Sequence, residues 1–158
     1  MISKPKIKIV DDMKLRNEIV DNTELLDQIE LAKWAIDAAE RVLPYLEQEF
    51  PQDEKVLNGI RIIELWQNQE ATVHQVRKAG FKVHELAREC KKETAKAAAR
   101  AIGHAIAVGH MRGHAMVATD YVIKTMNLAF NNELNKATEE REWQLHRLHK
   151  FIQDCKFE

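Results

Sequence analysis

The stretch AKAAARAIGHAIAVGHMRGHAMVA, residues 95–118, decides how this chain folds. Twelve of its 24 residues are Ala or Gly, and His104, His110 and His114 stand among them. Small side chains let neighbouring backbones approach closely, so the segment reads as the central, most buried helix of a helical fold. An imidazole placed there needs partners, because an unsatisfied polar group in a core costs stability. The histidines therefore either bind something or tie the core together. Gly109 and Gly113 read as stop signals, with a break near residues 110–113 and a new helix running to about Phe130.

Working outward, helical periodicity continues on both sides. Residues 11–20 form one short helix. Asn22 or Thr23 then caps a long one whose apolar residues, Leu25, Ile29, Ala32, Ile36, Ala39, Leu43 and Leu46, keep a 4-3 rhythm. Pro44 either kinks it or starts a separate last turn. After Phe50-Pro51, a helix from Gln52 or Asp53 to Trp66 turns Val56, Ile60 and Ile63 inward. Thr72 caps the next, to about Lys92, with Val73, Val76, Val83, Leu86 and Cys90 on its apolar side and Gly80 weakening its middle. Asn131-Asn132 punctuates the chain before a last helix at 138–155 carrying Leu145, Leu148, Ile152 and Cys155. The expectation is an all-α, single-domain bundle of six or seven helices over residues 11–158. Residues 1–10, alternating Lys with Ile or Val, form an extended or flexible arm.

Composition supports this. The chain of 158 residues holds only five glycines and three prolines, few turn formers for one domain of this length. No run approaches about 20 apolar residues, and the N-terminus has no apolar segment of signal length, so a cytoplasmic protein without membrane association is expected. Net charge is −1, which gives no basic excess for nucleic-acid binding. The charges are nevertheless unevenly spread: residues 11–70 hold 15 acidic and 6 basic side chains, residues 71–127 hold 4 and 10. Such a split either offers an acidic face to a basic partner or pairs the two halves across the bundle.

Chemistry is less legible. His110 and His114, four residues apart, would lie about 40° apart on an unbroken helix, and His104 about 80° from His114. A metal site there needs carboxylates from elsewhere, with Asp37, Glu40 and Glu64 as candidates. Asp37 and Arg41 read as an intrahelical ion pair or as a catalytic acid with its positioning arginine. Arg100, on an apolar helix, calls for a carboxylate partner. With Ser3 as the only serine and no nucleophile motif around Cys90 or Cys155, nucleophilic catalysis has no support. Trp34, Trp66 and Trp143 read as core anchors, and His146 and His149 as solvent-facing.

Three blocks carry a resemblance. The first is Trp34-Ala35-Ile36-Asp37-Ala38-Ala39-Glu40-Arg41-Val42-Leu43-Pro44, followed by Phe50-Pro51 and Trp66. The second is Ala99-Arg100-Ala101-Ile102-Gly103-His104-Ala105-Ile106-Ala107, then His110, His114-Ala115, Tyr121 and Lys124. The third is Trp143-Gln144-Leu145 with Arg147-Leu148. Their order and spacing resemble the all-α putative immunity proteins of bacterial polymorphic toxin systems. The resemblance implies a non-enzymatic antitoxin, without cofactor, that binds a cognate toxin. Asp37, Arg41, Arg100, His104, His110 and His114 match its polar positions. The acidic first half is then the expected binding face, with the histidines and Arg100 locking the break near residues 110–113 to the helix of Asp37. Two rivals remain open: a metal-dependent enzyme using His110 and His114 with Asp37 or Glu40, and a helical scaffold or homodimer.

Overall fold

The computed structural model describes residues 4–156 and contains no strand among them. Eight helices follow one another: α1 (Met13–Thr23), α2 (Gln28–Glu40), α3 (Leu43–Glu47), α4 (Glu54–Gln67), α5 (Val73–Glu89), α6 (Glu93–Ala107), α7 (His114–Ala129) and α8 (Leu134–Cys155). The all-α class is as expected and the helix count slightly higher. Pro44 accounts for the extra element, since it opens α3 as a separate turn instead of kinking α2.

Local chemistry sets the boundaries. Asp12, Asp27 and Asp53 cap α1, α2 and α4 by accepting from Leu15, Glu30 and Lys55 N–H. Thr72 and Gln75 form a reciprocal capping box on α5. The cap on α2 corrects an expectation: Asn22 and Thr23 belong to the end of α1, and Leu25, expected in the stripe, is 65% exposed while Leu26 is buried. Asp27 wins because its carboxylate satisfies a helix-start donor, whereas residues 24–26 must turn the chain. Val73 and Cys155 also stand exposed. Asn131 and Asn132 adopt φ of 52° and 61°, the left-handed turn that ends α7.

The Ala-rich helix is central, as its composition demands. α6 packs against α2, α3, α4, α5 and α7, and Ala95, Ala98, Ala99, Ala101, Ile102, Ala105 and Ile106 are fully enclosed. Alanine on several sides of one helix lets five neighbours reach its backbone. Gly109 serves close approach too, because a Cβ there would meet Ile63, Val76 and Trp66 at 2.8, 3.0 and 3.2 Å. Neither Gly109 nor Gly113 takes positive φ, so neither is a left-handed stop.

The break after α6 is held differently from expectation. Arg112 donates to the carbonyls of Thr23 and Leu26, and Gln28 Nε2 donates to the Val108 carbonyl. The α1–α2 connection therefore locks this junction, and Arg100 and the histidines do not reach Asp37. Trp34 is fully buried, with its indole N–H on the Gln144 carbonyl.

A buried ionic network, absent from the sequence expectations, joins α1, α7 and α8. Arg16 donates to Asp120 at 2.8 and 2.9 Å, and Arg141 bridges Asp120 at 2.6 Å and Asp11 at 2.8 Å. Burial disfavours the charged form of Arg141, but hydrogen bonds and charge from Asp11 and Asp120 outweigh it and raise the guanidinium pKa. The end of the expected arm, at Lys8 and Val10, is tied to α7. Asn127 exchanges two hydrogen bonds with the Val10 backbone, and Lys124 reaches the Lys8 carbonyl. Residues 1–3 of that arm, and 157–158 at the other end, lie outside the described residues.

Candidate functional site

Residues of α5, α6 and α7 enclose a cleft of about 500 Å³, lined by arginine, histidine and phenylalanine side chains. Its floor begins with two glycines. A Cβ on Gly80 of α5 would stand 3.4 Å from the Gly103 carbonyl of α6, so the two backbones meet across glycine. The ring of His84 fills the space that a side chain on Gly103 would occupy, with its atoms 2.7–3.0 Å from such a Cβ.

Polar contacts then fix the floor. An Arg100 N–H donates to His84 Nδ1 at 2.8 Å. Because a guanidinium only donates, His84 accepts through Nδ1 and carries its proton on Nε2 as a neutral ring. Burial pushes its pKa down to about 4, with Arg100, His114 and Arg88 acting the same way. His104 stands edge-on to His84, with centroids 4.7 Å apart, and its ring lies parallel to Tyr121 at 5.4 Å. His104 Nδ1 and His114 Nδ1 are 3.0 Å apart, so one donates its proton to the other. Burial, then His84, His114, Arg100 and Lys6, bring His104 down to about 3. His114 is lowered by burial, His110 and Lys6. Each charged neighbour that shifts these rings is cationic.

The wall and mouth come from one face of α5. Arg77, Phe81, His84 and Arg88 follow one another at spacings of four, three and four, a single helical stripe. Phe81 is 59% exposed. His110, in the link between α6 and α7, completes the lining, its ring 6.0 Å from that of His114. No Asp or Glu lines the cleft.

Of the polar positions singled out in the sequence, the structure brings Arg100, His104, His110 and His114 together here. Asp37 and Arg41 lie elsewhere, and their intrahelical pair does not form. Arg147 of α8 donates to Asp37 at 2.9 Å, while Arg41 grips both oxygens of Glu140 and lies 4.3 Å over the Trp143 ring. Helix α8 packs on this face of α2 and offers better geometry than a side chain four residues away. Arg100 likewise finds an imidazole where a carboxylate was expected. The close histidine pair is 104 with 114, because the chain break moves His110 off the α7 helix. Among the described residues no three His, Cys, Asp or Glu side chains are arranged to hold a metal ion, and Asp37 and Glu40 do not line the cleft. Sequence reading missed His84 and the α5 stripe, although the spacing 77, 81, 84, 88 was there to be read.

The arrangement has no nucleophile–base pair and offers donors and cations to whatever enters. A model of the Imm-5 like putative immunity protein family matches residues 21–151. The chain belongs to that family. No curated protein and no solved structure matches it. The match to the immunity family spans every helix that lines the cleft, and the resemblance read from residues 34–148 agrees with it. Among the described residues no helix is long and apolar enough to cross a membrane.

Proposed function

We propose that this protein neutralises a cognate toxin of a bacterial polymorphic toxin system by stoichiometric, non-catalytic binding in the cytoplasm, and that the α5–α6–α7 cleft is its docking face. One observation carries the choice of face: a pre-formed concave surface with an arginine–aromatic rim and no carboxylate in its lining. Aromatic and arginine side chains around a pocket dominate binding energy at interfaces.

The acidic first half is a weaker candidate because much of its charge is already engaged. Asp12, Asp27 and Asp53 cap helices, and Asp11 and Asp37 hold arginines of α8. Glu49 accepts from the Lys91 and Lys92 N–H groups at the start of α6, which lowers its pKa.

The test is co-expression with the cognate toxin, reading survival, together with a binding titration and light scattering for stoichiometry. Exposed cleft variants, Phe81→Ala and Arg77→Glu/Arg88→Glu, should weaken binding by about thirtyfold or more and abolish protection. Reversal of Glu18, Asp21 and Glu24 should leave both intact. Protection that survives the cleft variants, or is lost on reversing the acidic residues, overturns the choice of face. A protein that never binds the toxin overturns the function.

A further inference from the structure

The cleft concentrates positive charge that the fold does not neutralise. Arg77, Arg88 and Arg100 line it, and among the described residues none of the three has a carboxylate partner. Of the arginines elsewhere, Arg16, Arg41, Arg141 and Arg147 each hold an aspartate or glutamate within 3.0 Å, while Arg112 donates to two backbone carbonyls and Arg61 to the Asn58 side chain. Arg100 spends one N–H on a neutral imidazole and lines a cleft with no aspartate or glutamate in its wall, while it also borders a second pocket that Glu93 lines. Lys6 of the N-terminal segment adds a further cation near His104 and His114. Cations left without a counter-charge around a half-open cleft repel one another weakly where solvent reaches them, as at the exposed Arg77 and Arg88, and disfavour imidazolium formation beside them. An entering anion removes both penalties.

We propose that the cleft is an oxyanion site, in which the Arg88 and Arg100 guanidiniums and the His104–His114 pair receive a phosphate or carboxylate group while Arg77 and Phe81 hold the body that carries it. Forked guanidinium donors match the oxygens of either group. The volume of about 500 Å³ exceeds a bare ion and suits a small organic molecule bearing one. The imidazoles give the site a proton response. The groups facing them are Arg77, His84 and Arg88 from α5, Arg100 from α6, His110 from the link, Tyr121 from α7 and Lys6, none of them acidic. A bound anion therefore reverses the sign of the charge they feel, and the site takes up a proton on filling. The inference rests on the cleft itself and does not require that the toxin binds there.

Calorimetric titration with inorganic phosphate and, separately, with succinate, at constant ionic strength and about pH 6, tests it. The imidazole Cε1–H signals are followed by NMR in the same samples. Saturable 1:1 binding is expected for at least one probe, with the His104 and His114 signals moving and those of His146 and His149 still. Arg88→Gln and Arg100→Gln should each weaken binding by about tenfold or more, and Lys150→Gln on α8 should leave it unchanged. Preference for phosphate assigns the natural ligand to phosphate-bearing molecules, and preference for succinate to carboxylates. A response to both probes that never saturates, or that is as strong in the Arg88→Gln protein as in the parent, overturns the proposal. Saturable binding without toxin affinity would keep this inference and overturn the proposed function, while protection that the cleft variants lose, in a protein that binds neither probe, would keep the docking face and overturn this inference.

Discussion

Gly103→Ala tests whether the cleft floor is built on an absent side chain. The added Cβ would stand 2.7, 2.8 and 3.0 Å from Cε1, Nε2 and Nδ1 of His84, inside van der Waals contact, so the ring must move. Movement has a cost because Arg100 holds Nδ1 and the His104 ring stands against the His84 face. Losing that charge-assisted hydrogen bond costs about 1.5–3 kcal/mol, while replacing a helical Gly by Ala returns about 1 kcal/mol. The net is about 1 kcal/mol of destabilisation, a fall in Tm of about 2–4 °C for a chain of this length. In a His84→Ala background the clash is gone and only the propensity gain remains. There the same substitution should stabilise by about 0.5–1 kcal/mol. Urea and thermal unfolding of the four proteins in this double-mutant cycle measure both values. Equal destabilisation with and without the His84 ring would refute the packing argument.

Two further outcomes follow from the buried polar groups. In the folded protein His84 and His104 titrate at about 4 and about 3, against about 6.5 in an unfolded chain. Between those values the unfolded chain binds protons that the folded one refuses. Stability from these rings is therefore complete above about pH 6.5 and is lost as the pH falls toward the folded values. After discounting for solvent at the open side of the cleft, urea unfolding should show a loss of about 2 kcal/mol between about pH 7 and pH 5. A His84→Gln/His104→Gln protein should lose clearly less, and identical losses would exclude these rings as the cause. Arg141→Met leaves the buried Asp11 carboxylate without its guanidinium and should destabilise by about 3–5 kcal/mol, a fall in Tm of about 10 °C. A change under about 3 °C by calorimetry would show that the network contributes little.

Helix identity was largely legible in the sequence, and polar partnership was not. Apolar spacing and caps at Asp53 and Thr72 placed α4 and α5 closely, and the Ala-rich run announced α6. The start of α2 was misplaced because Asn22, Thr23 and Asp27 are all good caps, and only packing decides that Leu26 and not Leu25 turns inward. Asp37 and Arg41 looked like partners because four residues is one helical turn, but α8 arrives from about a hundred residues away with better-placed charges. Of the cleft, Arg100, His104, His110 and His114 were visible as a cluster in one segment. His84 was not, since nothing near it in sequence shows that Gly103 leaves room for its ring.

By itself the sequence determined the helical class, the central place of residues 95–107 and the immunity family, because periodicity, small-residue content and motif order are properties of the chain in one dimension. Only the tertiary structure decided which polar groups meet. It sent Asp11, Asp37 and Asp120 to arginines of α8 and left Arg77, Arg88 and Arg100 around a cleft without a carboxylate. Charge–charge contacts act over a few ångströms, and helices distant in sequence supply both sides of them. The histidines of the opening stretch thus serve a concave cationic surface, whose character depends on which helices pack beside α6.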